Sequence, residues 1–122
     1  MKYLVLGAGL QGRVVGYDIL NFDKDAQVVY ADVDHENLEL AKELVPDPRA
    51  SFVEFDVLDV DKTADLMREN DVSIICLPHG LEYTHAVYQG LAKAGNTHAV
   101  FSDFWQWDIH HTYHQALVDA KV

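Results

Sequence analysis

The sequence predicts a three-layer α/β fold, a doubly wound parallel sheet of about five strands with helices on both faces. Two observations predict it. Short β-rich apolar runs alternate with longer stretches of helical period along all 122 residues, the pattern of successive βαβ units. Hydrophobic residues make up 49% of the chain and charged ones 24%, which supplies one core for a chain of single-domain length.

The first strand is expected over Lys2 to Leu6 and the first helix over Leu10 to Leu20, with Val14, Val15 and Ile19 on its apolar side. Gln27 to Ala31 forms the second strand, and Asp34 caps a helix from His35 to Leu44. Ser51 to Phe55 gives a third strand, followed by a helix from Lys62 to Glu69 with Asp61 as its cap. The apolar run Val72 to Leu77 is the fourth strand, and Gly95 with Asn96 ends a helix from Leu81 to Ala94. His98 to Phe101 is the fifth strand. In the last helix, Trp105 to Ala120, the positions Ile109, Tyr113, Ala116, Leu117 and Ala120 turn one face to the sheet, and Asp108, Gln115 and Asp119 face water. Val122 reads as the approach to another strand.

Composition excludes several function classes. Nine Lys and Arg against twenty Asp and Glu give a net charge of −11, so phosphate backbones and anionic membranes are repelled over most of the surface. Nucleic acid and membrane are not expected partners. The single cysteine, Cys76, lies in the fourth apolar run; it allows no internal disulfide and reads as a buried, inert thiol of a reducing compartment. The N-terminal apolar run is too short for a signal peptide or a membrane span, and the chain reads as cytoplasmic.

The chemistry begins where the first strand ends. Gly7-Ala8-Gly9-Leu10-Gln11-Gly12 is a G-x-G-x-x-G between a strand and a helix, the context a dinucleotide needs. Gly7 permits the tight turn, Gly9 lets a pyrophosphate approach the backbone, and Gly12 lets the helix pack on the strand. The helix start offers free N–H groups, those of Leu10 and Gln11, and a partial positive charge. An acid is then required about twenty residues on, to accept hydrogen bonds from the adenosine ribose, and Asp32 closes the second strand. Its carboxylate repels a 2′-phosphate, and Val33 follows instead of an arginine, so NAD is favoured over NADP unless Arg13 swings in.

Two more loops fall on the ligand edge of such a sheet. In Phe55-Asp56-Val57, Asp56 and Val57 are placed beside the adenine; in Leu77-Pro78-His79-Gly80, Leu77 and Pro78 reach toward the nicotinamide. His79 reads as a solvent-exposed loop histidine and not as a catalytic one. This is a Rossmann-type cofactor domain spanning residues 1–122. Such folds commonly carry six strands and five are counted here, so the chain is expected to be a truncated domain.

Seven histidines raise the question of a metal. His110 and His114 are four apart and share a helix face, with His111 between them, but no Cys or third ligand follows. An exposed helix face without metal is expected. Trp105 and Trp107 read as packing or a subunit contact.

With the glycine loop, Asp32, Phe55-Asp56-Val57 and Ile75-Cys76-Leu77-Pro78 in place, the chain resembles the N-terminal domain of the saccharopine dehydrogenase-like family, which includes lysine dehydrogenases. The similarity continues through Ala92-Lys93-Ala94-Gly95-Asn96-Thr97-His98 and Ser102-Asp103. It implies NAD(P)-dependent oxidation at a C–N bond of an amino-acid-like substrate by hydride transfer to nicotinamide, with the substrate pocket and most catalytic groups on a second domain. This chain alone would bind cofactor without turnover. His79-Gly80-Leu81-Glu82 and Phe104-Trp105-Gln106-Trp107 match no motif of that family. The alternative is a stand-alone NAD-sensing regulatory domain like those of potassium channels and transporters, although those carry a Gly-Asp-Ala/Ser-like turn where this chain has Phe55-Asp56-Val57. An epimerase or short-chain reductase is disfavoured, because no Tyr-x-x-x-Lys pair is present. The unpaired sheet edge offers backbone groups through which a homodimer could form.

Overall fold

Side chains of a strand point alternately to its two faces, and that alternation sorts the core into two layers. A computed structural model describes the whole chain except residues 103–106 and the side chain of Trp107. In β1 (Lys2–Leu6), Leu4 and Leu6 join one apolar cluster and Val5 the other; in β2 (Gln27–Asp32), Val29 and Ala31 face the first cluster, Val28 and Tyr30 the second. With β3 (Ala50–Glu54), β4 (Val72–Ile75) and β5 (His98–Phe101) they form one parallel sheet in the order β3-β2-β1-β4-β5.

Leu20 of α1 (Leu10–Phe22) and Leu38 and Ala41 of α2 (His35–Leu44) cover one face. Met67 of α3 (Val60–Arg68), Val87, Tyr88 and Leu91 of α4 (Leu81–Ala94) and Ile109 of α5 (Trp107–Ala120) cover the other. This is the doubly wound α/β architecture expected. The chain reverses direction across the sheet between β1 and β4, which opens a crevice at the carboxyl ends of those strands. No described helix is long and apolar enough to cross a membrane.

Several local expectations are corrected. The third helix starts at Val60 and is capped by Asp59, whose carboxylate accepts from Lys62 N at 3.2 Å. Asp61, expected as the cap, lies inside the first turn and pairs with Lys93 of α4. Asp34 does cap α2, accepting from Glu36 N at 2.9 Å. Gly95 and Asn96 end α4 with positive φ values of 62° and 49°, backbone that a right-handed helix does not contain.

On α5, Ile109 is buried and Tyr113 and Leu117 pack on the core, but Ala116 is exposed. Val122 donates its N–H to Leu117 O at 3.0 Å, and its side chain packs on the core. Trp105 lies outside the described residues.

Arg49 ties the end of α1 to the start of β3. Its guanidinium donates to the carbonyls of Leu20, Asp23 and Lys24 at 2.8, 3.0 and 2.9 Å and grips Asp47 with two bonds of 3.1 and 2.7 Å. That grip holds the Asp47 carboxyl below its usual range. The folded state therefore keeps Asp47 ionised at a pH where the unfolded chain takes up its proton, so the pair stabilises above the unfolded value and is lost as pH falls through the folded one. Arg49→Leu is expected to lower stability at neutral pH, and its deficit against wild type should narrow below about pH 4. Urea unfolding at a series of pH values measures this; a deficit independent of pH would leave only the carbonyl contacts as its source.

Candidate dinucleotide cleft

Gly7, directly after β1, has φ of 94°, and a Cβ there would also lie 2.4 Å from Cys76 O of the neighbouring strand end. The turn is thus closed to other residues both by conformation and by space. A Cβ on Gly12 would fall 1.8 Å from Gly7 O, so only glycine lets α1 come this close to the turn. Gly9 differs: a Cβ would meet nothing within 4 Å. It would project into open space.

The start of α1 is left open. Its first turn holds no acid and no side-chain cap, so the N–H groups of Leu10, Gln11 and Gly12 have no carbonyl one turn below to bond. A cleft of about 650 Å³ lies over this helix end. It is lined by Gly7, Gly9, Leu10 and Gln11 on one side, by Asp32 at the end of β2 and Asn37 in the first turn of α2, by Asp56 and Val57 after β3, and by Leu77 and Pro78 after β4. The structure therefore brings together nine of the ten residues expected to bind cofactor; the tenth, Gly12, sits beneath the turn and acts through packing.

Asp32 is held firmly. Its Oδ2 accepts from Ala8 N of the glycine loop at 2.7 Å and from Asn37 Nδ2 at 3.3 Å, and its Oδ1 accepts from Asp34 N at 2.8 Å. The acid and the glycine loop are one unit. Asp56 fixes its own turn by accepting from Leu58 N at 2.9 Å, and the one hydroxyl proton of Thr63, fully buried, is shared between the carbonyls of Val57 and Asp59, which lie 2.9 and 3.0 Å from its oxygen. At the opposite end Tyr83 folds its ring over Gly80, where a Cβ would come within 2.9 Å of the ring.

Cys76 also lines this cleft and is only partly buried, against the expectation of a core thiol. Burial pushes its pKa up, which keeps it a protonated, weakly nucleophilic thiol at neutral pH.

The chemistry of these groups fits a dinucleotide: a glycine cradle and a bare helix start for the pyrophosphate, and an oriented carboxylate for a ribose. Residues 3–100 match the family described as saccharopine dehydrogenase NADP binding domain. The chain belongs to this family. The family is one of nucleotide-binding domains. No curated protein matches the chain.

Among solved structures, it is similar to apo saccharopine dehydrogenase (L-Glu forming) from Saccharomyces cerevisiae, with a TM-score of 0.73, 21% identity, and coverage of 90% of this chain and 23% of that one. Yeast methylglyoxal/isovaleraldehyde reductase complexed with NADPH aligns at TM-score 0.64 and 16% identity over 83% of this chain and 37% of that one. The dTDP-glucose 4,6-dehydratase from Bacillus anthracis in complex with NAD aligns at 0.59 and 16% over 76% and 32%. At these identities the likeness is one of fold, and the chain spans about a quarter to two-fifths of those proteins' lengths.

The histidine group takes a different form from the exposed face expected. His110 turns inward onto Tyr88, while His111 and His114 stay exposed. No group of three metal-ligating side chains occurs among the described residues.

Two residues that shape the site carry no signal of their own in the sequence. Asn37 belongs to no motif, and the only hint of it is that the third residue of a capped helix lies back over the preceding strand end. Gly16 sits one turn after Gly12 on the sheet side of α1, and its need arises from Tyr30 on another element.

Proposed function

We propose that this chain is the cofactor-binding domain of an oxidoreductase acting on a C–N bond of an amino-acid-like substrate, and that it prefers NAD to NADP. The observation that carries the cofactor reading is the glycine cradle at the open start of α1, facing a carboxylate that the same loop holds in place. Gly9, Leu10 and Gln11 take the pyrophosphate, Asp32 the adenosine ribose, Asp56 and Val57 the adenine, and Leu77 and Pro78 the nicotinamide end. When bound, nicotinamide supplies the hydride acceptor. The substrate class follows from the family resemblance, and its pocket belongs to a second domain; the short span of the match, 23% of the yeast saccharopine dehydrogenase, supports that division.

The NAD preference rests on charge. Asp32, Asp34 and Asp56 line the cleft, and no lysine or arginine does among the described residues, so a 2′-phosphate meets repulsion without a counter-ion. Calorimetric titration of the chain is expected to give NADH binding at least about tenfold tighter than NADPH, and Asp32→Asn to weaken NADH by about tenfold while narrowing that ratio. A folded sample that binds neither nucleotide would end this reading.

A second reading, NADP, has two supports. The matched family is described by that cofactor, and Arg13 Nη1, which does not line the cleft, is buried without a hydrogen-bond partner, a donor that a 2′-phosphate would satisfy once the side chain swings in. It predicts tighter NADPH binding that Arg13→Met abolishes without touching NADH.

A further inference from the structure

An ionised carboxylate offers two acceptor sites on each oxygen. At Asp32, Ala8 N and Asn37 Nδ2 occupy both sites of Oδ2, and Asp34 N occupies one of Oδ1. One site remains. The cis-diol of a ribose brings two donors, so a carboxylate that is to take both oxygens of the diol must first release one of its present partners.

The three partners are unequal. Ala8 N at 2.7 Å and Asp34 N at 2.8 Å are backbone groups fixed by the glycine loop and by the turn into α2. Asn37 Nδ2 at 3.3 Å is the longest contact and sits on a side chain that rotates about two bonds. Asn37 lines the same cleft as Asp32, on the first turn of α2. Opposite a carboxylate, only its amide nitrogen is a suitable face, so the neutral donor points at the site where a ribose hydroxyl arrives.

We propose that Asn37 is a positioning residue for cofactor recognition: it holds the Asp32 carboxylate in its binding rotamer, yields Oδ2 to one hydroxyl of the adenosine ribose, and then donates to the oxygen of that hydroxyl. This rests on the cofactor reading above and assigns the residue that tunes it. No other cleft-lining residue gives Asp32 a side-chain hydrogen bond among those described.

The test compares ADP with 2′-deoxy-ADP and 3′-deoxy-ADP, by calorimetry on wild type, Asn37→Leu and Asn37→Gln, with thermal melting as the control for folding. Wild type is expected to favour ADP over at least one deoxy analogue by about tenfold. In Asn37→Leu that preference should shrink by about fivefold, because ADP loses a contact that the analogue never had, and Asn37→Gln should restore most of it. If Asn37→Leu fails to fold, Asn37→Ser gives the same readout. A residue that merely supports the fold would weaken all three ligands equally, and unchanged preferences for both analogues would overturn the proposal. Wild type binding neither ADP nor NADH would instead remove the cofactor reading, a result distinct from NADH binding with unmoved preferences.

Discussion

Gly12→Ala is expected to destabilise the protein by about 3 kcal/mol and to abolish NADH binding, whereas Gly9→Ala should leave the melting temperature almost unchanged and still weaken NADH by about tenfold or more. The contrast follows from where each added methyl goes. At Gly12 the methyl lies 1.8 Å from Gly7 O and 3.2 Å from the Val5 side chain. The nearer atom is backbone in a turn that Gly7 N already anchors to Ala31 O at 2.9 Å, so relief requires α1 to lift from the sheet.

Lifting α1 moves its open N–H groups away from the cleft, and stability and binding are lost together. At Gly9 the backbone has φ of −65° and ψ of −169°, an extended conformation alanine adopts without strain, and nothing lies within 4 Å. The methyl then occupies only the space a pyrophosphate needs. Thermal melting together with NADH titration of both variants decides the matter. Equal loss of stability in both would mean that Gly9 is a packing glycine, and unimpaired NADH binding by a folded Gly9→Ala would remove the pyrophosphate from that position.

Features that depend on neighbours along the chain are legible in the sequence itself. The three glycines and Asp32 are set by spacing within one βαβ unit, and each has a local steric or electrostatic reason, so their roles can be written from the residues alone. Asp34 is legible for the same reason. The cap of α3 is not, because Asp59 and Asp61 are chemically identical and two apart; in the fold Asp59 takes the cap, and Asp61 pairs with Lys93 of α4, a partner distant in sequence.

By its position on α5, His110 neighbours the apolar stripe without belonging to it, which is the pattern of an exposed residue. What turns it inward is the ring of Tyr88 on α4, a partner 22 residues away. Asn37 and Gly16 belong to the same class. Their importance is created by Asp32 and Tyr30, and nothing in their own surroundings along the chain announces it.

Gly16 gives the second large effect. A methyl there would lie 2.1 Å from the Tyr30 hydroxyl oxygen and 2.4 and 2.8 Å from two ring carbons. Tyr30 cannot retreat. Its ring is fully buried, stacks on Phe52 with centroids 5.4 Å apart, and its hydroxyl donates to Arg13 O at 3.0 Å. Alanine gains about 1 kcal/mol of helix propensity over glycine, but overpacking against a buried ring costs more, and Gly16→Ala is expected to lose about 2 kcal/mol net.

Tyr30→Phe removes the nearest atom but leaves the ring carbons, so the double variant should be more stable than the sum of the singles by about 1 kcal/mol. Additive losses would show that the methyl is accommodated elsewhere. The same ring has an alkaline signature. Burial pushes the Tyr30 hydroxyl from 10.0 up to about 12, so the folded state keeps a proton that the unfolded chain gives up, and stability falls as pH rises through that interval. Tyr30→Phe should lack this alkaline loss. Because the Tyr30 hydroxyl is bonded to the turn of α1 that follows the glycine loop, this core pair also fixes the height at which the helix start meets the cleft.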